Sequence, residues 1–539
     1  MTATEPRAVV SRPEPARTWL STTDHKRIAL LMTAVALVLF FAFGAFALVM
    51  RAKLAQPDEQ WISNETYDEL FTMHGSGMIY LVITPLAIAI GLYLVPLQVG
   101  APNVAAPRLT MLGFWLYVFG AATELSGFLS TTGAAAEGWT AYTPLSSAEF
   151  SPGFGTDLWI LGNFAASLGM ILVAGTVLWT VLLRRAPGMT MLRIPVFSWS
   201  IVATNLMVLA AFPSLLIALG LLALGRITPG VFTHDIWNIG YQHLFWFYGH
   251  PVVYVMFFPF VGAVAEVLAT FSRRRFFGYK PTVLSLLAFA ALSMSVWGHH
   301  MFTTGQVADN YYSLTSVFLL VPAGLEYLGM IGTIVGARLR YTVPMLFALA
   351  FIPQFLVGGL TGIMVATPVL DYQAQDSYFV VAHFHYTLVA GSLFGFFAGF
   401  YFWFPKATGT MLGKRLGQAH FWLMVAGTNL TFLPMFWLGV EGMPRRVAGY
   451  LPGDGFGGLN LLATAGAGLL GLAMLCFAVN VVRSLARRRS HPAGDDPWAG
   501  QTLEWATSSP PPPLNFDAAH PIPPIRGFAP LLDLREERS

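Results

Sequence analysis

Twelve long runs of apolar residues are the dominant feature of this 539-residue chain. A helix needs about 20 mostly apolar residues to cross the hydrocarbon core of a bilayer. The runs lie near residues 28–50, 71–99, 109–131, 155–183, 195–224, 238–270, 281–304, 311–337, 341–366, 377–405, 416–439 and 460–482. Charged residues make up only 11% of the chain, too few to cover the surfaces of soluble domains of this total length. The sequence therefore predicts an all-α polytopic membrane protein, a bundle of twelve transmembrane helices.

The basic residues are distributed unequally between the two sides of such a bundle. With twelve spans, 25 of the 30 Lys and Arg residues lie on the side that holds both termini. The positive-inside rule then places both termini in the cytoplasm. We predict a cytoplasmic N-terminal segment over residues 1–27, a twelve-helix domain over 28–483 and a proline-rich cytoplasmic tail over 484–539. The net charge of +3 is too small to indicate a nucleic-acid partner.

Histidines occur at unusual depth in the predicted spans. Six of the twelve lie well inside apolar runs: His74, His250, His299, His300, His383 and His385. A lone intramembrane histidine can simply link helices by a hydrogen bond, but six ionisable groups at this depth indicate a functional interior. Neutral imidazole is also the commonest metal ligand. The single cysteine, Cys476, excludes sites within the chain built from several cysteines.

Two of these histidines share one predicted helix. His383 and His385 are two residues apart, which places them about 200° apart around an α-helix. One helix can then hold two separate metal centres, one on each side. His74 is left to pair with one of these two histidines as an axial heme ligand.

Three other histidines and a tyrosine have the spacing of a second metal site. His299 and His300 are adjacent, and both can converge on one metal with His250 as the third imidazole. Tyr254 follows His250 by four residues and lies on the same helical face. Three imidazoles beside a phenol, with no thiolate, favour copper.

Several motifs connect these residues to a known family. In chain order they read STTDHKRI, VGAPNVAAPR, RAPGMT, YQHLFWFYGHPVVY, WGHHMFTTG, SYFVVAHFHY, GMPRR and TLEWATSSPPPPLNF. With these motifs the chain resembles subunit I of the heme–copper oxidases, the catalytic subunit of cytochrome c oxidase and of its quinol-oxidising relatives. The resemblance implies a terminal respiratory oxidase that reduces dioxygen to water at a high-spin heme/copper centre.

The resemblance also implies a role for each matching residue. His74 and His385 correspond to the axial ligands of the low-spin heme, His383 to the ligand of the high-spin heme, and His250, His299 and His300 to the copper ligands. Tyr254 corresponds to the tyrosine that is bonded covalently to the copper-ligand histidine and donates an electron and a proton for O–O cleavage. Arg445 and Arg446 correspond to the pair that binds heme propionates, and Arg51 to an arginine near the low-spin heme.

Cofactors and partners follow from the same resemblance. It implies two hemes, with heme a as the expected type, and one copper ion. It also implies a subunit II of copper A or quinol type, a subunit III, and an integral position in a bacterial-type plasma membrane. Cytochrome c is favoured over quinol as the electron donor, because that form is the more common one in the family.

One proton pathway of the family is missing its usual residues. The glutamate that often follows the copper-ligand histidine by two positions is Val252 here. Another subgroup replaces that glutamate with a Tyr-Ser pair, of which this chain has Tyr248 but Gly249. The aspartate at the channel entrance is Asn103. The channel as usually described is therefore not expected.

The second pathway and a magnesium site are altered as well. The family pattern PTGxK reads PAGLE here, with Ala323 and Glu326. We predict Glu326 to be a proton relay, with an ion pair to a nearby arginine as the alternative. Asp376 matches a magnesium ligand, but Gln375 replaces its histidine neighbour, which weakens the case for magnesium.

Two alternatives to oxygen reduction remain open at this stage. Nitric oxide reductases of the same superfamily lack the oxidase proton pathways and carry carboxylates near the metal pair, a pattern that Glu326 favours. Tyr254 favours oxygen, since nitric oxide reduction involves no O–O cleavage. A protein of another class, a heme-only membrane electron carrier or a transporter, is the further alternative, and the predicted copper site argues against it.

Overall fold

The computed structural model describes residues 16–228, 230–231 and 234–538. Within them, twelve helices are long and apolar enough to cross a membrane, in agreement with the sequence prediction. We number them α1 (His25–Lys53), α2 (Asn64–Gln98), α3 (Pro107–Leu129), α4 (Phe154–Leu183), α5 (Val196–Ile227), α6 (Trp237–Ser272), α7 (Tyr279–Thr304), α8 (Asp309–Ile334), α9 (Val343–Val365), α10 (Tyr378–Thr408), α11 (Lys414–Val440) and α12 (Gly457–Ala486). Residues 1–15 of the predicted segment 1–27 lie outside the described residues.

The described part of the chain contains no β-strand, only two isolated bridges, Ser377 with Pro444 and Thr410 with Pro492. Its shorter helices lie before, between and after the spans. They are Ala16–Leu20, Met191–Arg193, Pro368–Ala374, Pro452–Asp454, Leu503–Ala506 and Pro530–Glu536. The prediction of an all-α membrane bundle is thus confirmed. We call the end of the bundle at which α1 begins and α12 ends the terminal face.

The start of α2 differs most from the sequence prediction. It lies at Asn64, seven residues before the predicted start, because the polar first turns are continuous with the apolar run. Ser63 caps this end, since its hydroxyl accepts a hydrogen bond from the Thr66 backbone N–H at 3.1 Å.

Several spans are irregular next to the predicted metal ligands. π-helical turns follow His74 in α2 and His385 in α10, and a 3-10 segment carries His299 and His300 in α7. These segments are Gly77–Ile83, Tyr386–Leu393 and Trp297–Thr304. The α-helical part of α6 that carries His250 also ends at Val255, five residues after this histidine. Such departures from α-helical geometry are frequent at functional sites because they re-aim side chains.

Three spans form the centre of the bundle. α2, α6 and α10 bury most of their residues, whereas α8 and α12 bury about a third or less of theirs. The buried spans are also the ones that carry His74, His250, His383 and His385. Any site built from these histidines is therefore enclosed by protein rather than by lipid.

Candidate functional site

Three imidazoles converge on one point between α6 and α7. The distance from His250 Nδ1 to His300 Nε2 is 3.2 Å, and from His299 Nε2 to His300 Nε2 it is 3.1 Å. Metal–nitrogen bonds of about 2.0 Å at tetrahedral angles separate ligand nitrogens by about 3.3 Å. The three side chains thus fit a single metal ion. In the described residues, this is the one group of three or more His, Cys, Asp or Glu side chains whose ligand atoms lie within 4.8 Å of one another.

Tyr254 lies beside this cluster, as the sequence predicts. Its ring centroid is 4.8 Å from that of His250 and 4.7 Å from that of Phe289 on α7. His250 Nε2, the nitrogen that does not face the other imidazoles, is buried without a hydrogen-bond partner. Buried polar atoms in native proteins normally have a partner, and the phenol of Tyr254 is the adjacent group that can serve as one.

The other two imidazoles are fixed by their neighbours. His299 Nδ1 is 2.8 Å from the Ser316 hydroxyl on α8, and this contact leaves Nε2 for the metal. The His300 ring stacks on Trp246, with centroids 3.8 Å apart and planes 11° apart. The ligand set is therefore held in place by contacts that do not depend on a bound ion.

The remaining three histidines each have one nitrogen committed to the protein. His74 Nδ1 is 2.9 Å from the Phe43 carbonyl, His385 Nδ1 is 2.8 Å from the Val381 carbonyl, and His383 Nδ1 is 3.0 Å from the Gly358 carbonyl. In each case Nε2 remains available to bind a metal, the pattern that orients heme ligands. The donor set fits heme iron at all three positions.

The two histidines of α10 face opposite sides, as their spacing predicts. His383 contacts α9, where Thr361 Oγ1 lies 3.2 Å from its Nδ1. His385 stacks on Phe432 of α11 at 4.4 Å. His385 lies near His74, and His383 lies near His299. One side of α10 therefore faces the two-histidine site and the other faces the three-histidine cluster.

The predicted arginines lie near the outer ends of these sites. Arg51 is buried, and its Nη2 donates to the Asn460 carbonyl at 3.0 Å, while its Nε and Nη1 are buried without partners. Arg445 Nε pairs with Asp376 Oδ1 at 2.5 Å. Arg446 Nη2 is 3.5 Å from Thr140 Oγ1, and burial lowers the pKa of this guanidinium. Guanidinium groups with unused donors suit anionic or carbonyl groups of a cofactor.

An acidic residue that the sequence analysis did not select lies in the same region. Asp371, in the helix Pro368–Ala374, is 2% exposed, and its Oδ2 has no partner. Burial raises the pKa of its carboxyl to about 7, and the charge of Asp376 adds to this rise while Arg445 opposes it. Nothing in the spacing around Asp371 distinguishes it from a surface acid, because its burial depends on packing between loops.

Glu326 is buried on α8, and the described contacts pair it with a hydroxyl rather than with an arginine. It is 3% exposed, and its Oε1 lies 3.3 Å from the Ser285 hydroxyl on α7. Sequence reasoning did not find Ser285, since its contact with Glu326 depends on how two spans pack. No pattern within one span signals such a partner.

The residues at the altered proton pathway are enclosed by close packing. Val252 is fully buried, and Tyr248 stacks on Tyr80 at 5.9 Å with its hydroxyl unpartnered. A Cβ at Gly249 would lie 2.7 Å from a ring carbon of Trp246, so a serine has no room here. Asn103 accepts from the His25 backbone N–H at 3.3 Å and donates to the Thr23 carbonyl at 2.9 Å.

Comparisons with known proteins agree with this geometry. The family model described as Cytochrome C and Quinol oxidase polypeptide I matches residues 27–469. A probable cytochrome c oxidase subunit 1-beta of Nocardia farcinica is 48% identical, over 99% of this chain and 93% of the relative. A cytochrome c oxidase subunit 1 of Corynebacterium efficiens is 45% identical, over 99% of this chain and 94% of the relative.

The fold also has a relative among solved structures. A heme-copper terminal oxidase dimer solved by cryo-EM matches with a TM-score of 0.72, at 18% identity, over 86% of this chain and 84% of that one. At this identity the match concerns the fold. The match of the family model over most of the chain, with relatives at 45–48% identity, shows that the chain belongs to the cytochrome c and quinol oxidase polypeptide I family, the catalytic subunits of heme–copper terminal oxidases.

Proposed function

We propose that this oxidase subunit reduces dioxygen to water at a high-spin heme/copper centre, with electrons arriving through a low-spin heme. The observation that carries the proposal is the convergence of His250, His299 and His300 beside Tyr254, on the side of α10 that His383 faces. A heme-only electron carrier has no need for this second cluster. Tyr254 favours oxygen over nitric oxide as the substrate, because a phenol can supply a proton and an electron for O–O cleavage.

We assign the histidines to three metal positions. His250, His299 and His300 would hold one copper ion, His383 the high-spin heme, and His74 with His385 the low-spin heme. When bound, the two hemes and the copper supply the electrons that dioxygen reduction requires. The hydrogen bonds at Nδ1 of the heme ligands keep each imidazole oriented, so the protein contributes geometry before any metal binds.

Tyr254 is assigned as the proton-donating phenol at the copper cluster. The partnerless Nε2 of His250 and the 4.8 Å separation of the two rings support its pairing with this histidine. Phe289 and Phe258 pack against the phenol and exclude bulk water from that side. Glu326 is assigned as the relay that returns a proton to Tyr254, since it is a buried carboxyl on a neighbouring span.

The arginines are assigned to the edges of the hemes. Arg445 and Arg446 would bind propionates, and Arg51, with Nε and Nη1 free, would contact the low-spin heme. We assign no magnesium to Asp376, because Arg445 already holds its Oδ1 and a guanidinium at this distance repels a second cation. Heme a is the type expected at both heme positions.

We infer the partner subunits from the family and the orientation in the membrane from the distribution of basic residues. A subunit II would deliver electrons from cytochrome c, with quinol as the alternative donor, and a subunit III would complete the complex. The terminal face, with 25 of the 30 basic residues on its side, would lie in the cytoplasm of a bacterial plasma membrane.

The test is to purify the complex and to measure its metal and heme content together with turnover on dioxygen and on nitric oxide. We expect two hemes and one copper in this subunit and rapid oxygen consumption. Tyr254→Phe should keep the metals but lower oxygen turnover at least 10²-fold, in the range of a lost proton donor. Tyr117→Phe, which removes a buried hydroxyl bonded to the Leu81 carbonyl away from the site, is the matched control.

Turnover of nitric oxide with negligible oxygen consumption would overturn the proposal in favour of a nitric oxide reductase. Two hemes without copper would indicate an electron carrier. A preparation free of heme would favour the transporter alternative.

A further inference from the structure

The packing of α7 against α8 places a hydroxyl next to Glu326. Ser285 Oγ is 2.6 Å from the Pro322 carbonyl and 3.3 Å from Glu326 Oε1. The hydroxyl has one proton, and the shorter contact assigns it to the carbonyl. The same hydroxyl also lies within hydrogen-bond distance of Glu326 Oε1, so the two groups form a contact through which a proton can pass.

A second hydroxyl lies one turn closer to the terminal face. Thr282 Oγ1 is buried and has no hydrogen-bond partner. Buried hydroxyls in native proteins are bonded to protein or to ordered water, so this group indicates a water site. Thr282 lies against Gly329 of α8, where an added Cβ would be 2.8 Å from Oγ1. The glycine therefore allows α7 and α8 to approach closely at this level.

A third polar group continues the line to the end of α8. Thr333 Oγ1 accepts from the Phe277 backbone N–H at 3.0 Å and donates to the Gly329 carbonyl at 2.7 Å. Thr333 and Glu326 are seven residues apart, which corresponds to about 10 Å along a helix. The line thus extends from the loop before α7, at the terminal face, to the buried carboxyl.

The direction of Glu326 fits a transfer from this line toward the site. Side chains on a helix lean toward its N-terminus. In α8 that direction leads away from the terminal face, toward the level of Tyr254 and Phe289. Ala323, one turn further along, contributes no hydroxyl, so the polar groups next to Glu326 come from α7.

We propose that Thr282 and Ser285, with water between them, form the proton entry to Glu326 from the terminal face. The proposal rests on the assignment of Glu326 as a relay, and it adds the residues that supply the relay. Neither hydroxyl touches a metal ligand, so both are positioning residues for proton transfer.

The test follows the exchange of the Glu326 proton directly. The purified complex is mixed with D₂O, and the shift of the Glu326 carboxyl C=O band is followed by infrared spectroscopy, with Glu326→Gln to identify the band. We expect Thr282→Val and Ser285→Ala to slow this exchange at least tenfold. Gly329→Ala should do the same, because its methyl group would occupy the space at Thr282 Oγ1.

Two kinds of control accompany these variants. Ser293→Ala removes a buried hydroxyl on the same helix that faces Met207 of α5 instead of α8, and it should exchange at the wild-type rate. Thr282→Ser keeps the hydroxyl, and it should also exchange at that rate. If Thr282→Val does not assemble, Ser285→Ala and Gly329→Ala carry the test.

Turnover on dioxygen separates this proposal from the assigned role of Glu326. If Glu326→Gln turns over at the wild-type rate, the relay role is wrong whatever the exchange experiment shows. If Glu326→Gln is slow but Thr282→Val and Ser285→Ala exchange at the wild-type rate, the entry route is wrong and the relay role stands. A band that shifts in frequency in Ser285→Ala without slower exchange would also overturn the route.

Discussion

The carboxyl of Glu124 illustrates how burial fixes the charge state of an acid in a membrane helix. Ser76 Oγ is 2.8 Å from the Thr72 carbonyl and 2.7 Å from Glu124 Oε1, and it has a single proton for the two. Glu124 Oε2 is buried without any partner. The partnerless Oε2 fits a neutral acid, because an ionised carboxylate would leave a charge in the membrane interior unsolvated.

We therefore expect Glu124→Gln to unfold at nearly the wild-type temperature, because a neutral amide has an oxygen that can accept from Ser76 in the same geometry. Glu124→Asp shortens the side chain and should cost about 1–3 kcal/mol through the lost hydrogen bond. Thermal unfolding in detergent checks both values. A glutamine variant that is as unstable as the aspartate variant would contradict a neutral Glu124.

Asp371 gives a pH dependence whose sign can be worked out. Burial raises the pKa of its carboxyl to about 7 in the folded chain, against about 3.9 in an unfolded one. Between these values the folded state binds the extra proton, so stability decreases as pH rises and levels off above pH 7. Asp371→Asn should thus match the wild type near pH 4 and exceed it in unfolding temperature at pH 8. Asp58→Asn, which replaces an exposed acidic residue in a loop, is the control.

Single residues also show how far sequence reasoning extends. An imidazole in an apolar run is rare enough to be a signal by itself, so the six histidines that we assign as ligands could all be selected from the sequence. Ser285, Ser316 and Thr361 were not, since hydroxyls are common in membrane helices. Each gains its role only from the helix packed opposite.

At the scale of elements, α5 is joined to the loop before α4 by one buried arginine. Arg226 forms a two-point ion pair with Asp157, Nε to Oδ1 at 2.6 Å and Nη2 to Oδ2 at 3.1 Å. Its Nη1 donates to the Ser146 and Ser151 carbonyls, each at 2.8 Å. This arginine, one of five basic residues on the side opposite the termini, therefore organises a loop instead of being solvated.

Arg226→Met should destabilise the protein by about 1–3 kcal/mol, because the Ser146 and Ser151 carbonyls lose their donor, whereas the half-exposed Asp157 carboxylate can be solvated. Arg526→Met is the matched control, since its ion pair with Glu537 is exposed and should cost less than about 1 kcal/mol. Thermal unfolding of both variants gives the comparison, and faster proteolysis within residues 130–153 should accompany the first. Equal effects of the two would contradict the role of Arg226.

Elements differ in how far their sequence determines them. The number of spans was predictable because each apolar run is long and separated by polar loops. The start of α2 was not, since Asn64–Asp68 are polar and only the Ser63 cap marks the helix end. The π turn after His385 and the 3-10 turn at His299 leave no periodic signal, because they are set by packing around the site.

At the scale of the whole molecule, the C-terminal tail joins the ends of several spans across the terminal face. Asn515 Oδ1 accepts from Lys26 Nζ at 2.8 Å and lies 3.1 Å from His25 Nε2, and its Nδ2 donates to the Ala101 carbonyl at 2.7 Å. Gln501 Nε2 donates to the Ala269 carbonyl of α6 at 3.0 Å. The proline-rich tail predicted from the sequence is thus packed against the bundle, which its composition alone did not indicate.

Lys406 on α10 is the main contact between this span and the C-terminal tail. It is fully buried, and its Nζ donates to the Thr507 carbonyl at 2.6 Å, to the Asp495 carbonyl at 3.0 Å and to the Ser508 carbonyl at 3.3 Å. Its ammonium group also lies 5.2 Å from the centroid of the Trp505 ring. Lys406→Met keeps the aliphatic stem but removes every donor, so the tail carbonyls lose their partner while the span stays packed.

We expect Lys406→Met to release the tail before the bundle unfolds. In limited proteolysis of the purified complex, the wild-type tail should be protected, and the variant should be cut between residues 490 and 515 at least tenfold faster. Lys414→Met, at an exposed position at the start of α11, should be cut at the wild-type rate. Because the tail crosses α6 and α10 on the face opposite the metal ligands, heme spectra should stay unchanged in both variants. Heme loss that parallels tail cleavage would show instead that the tail and the site form one cooperative unit.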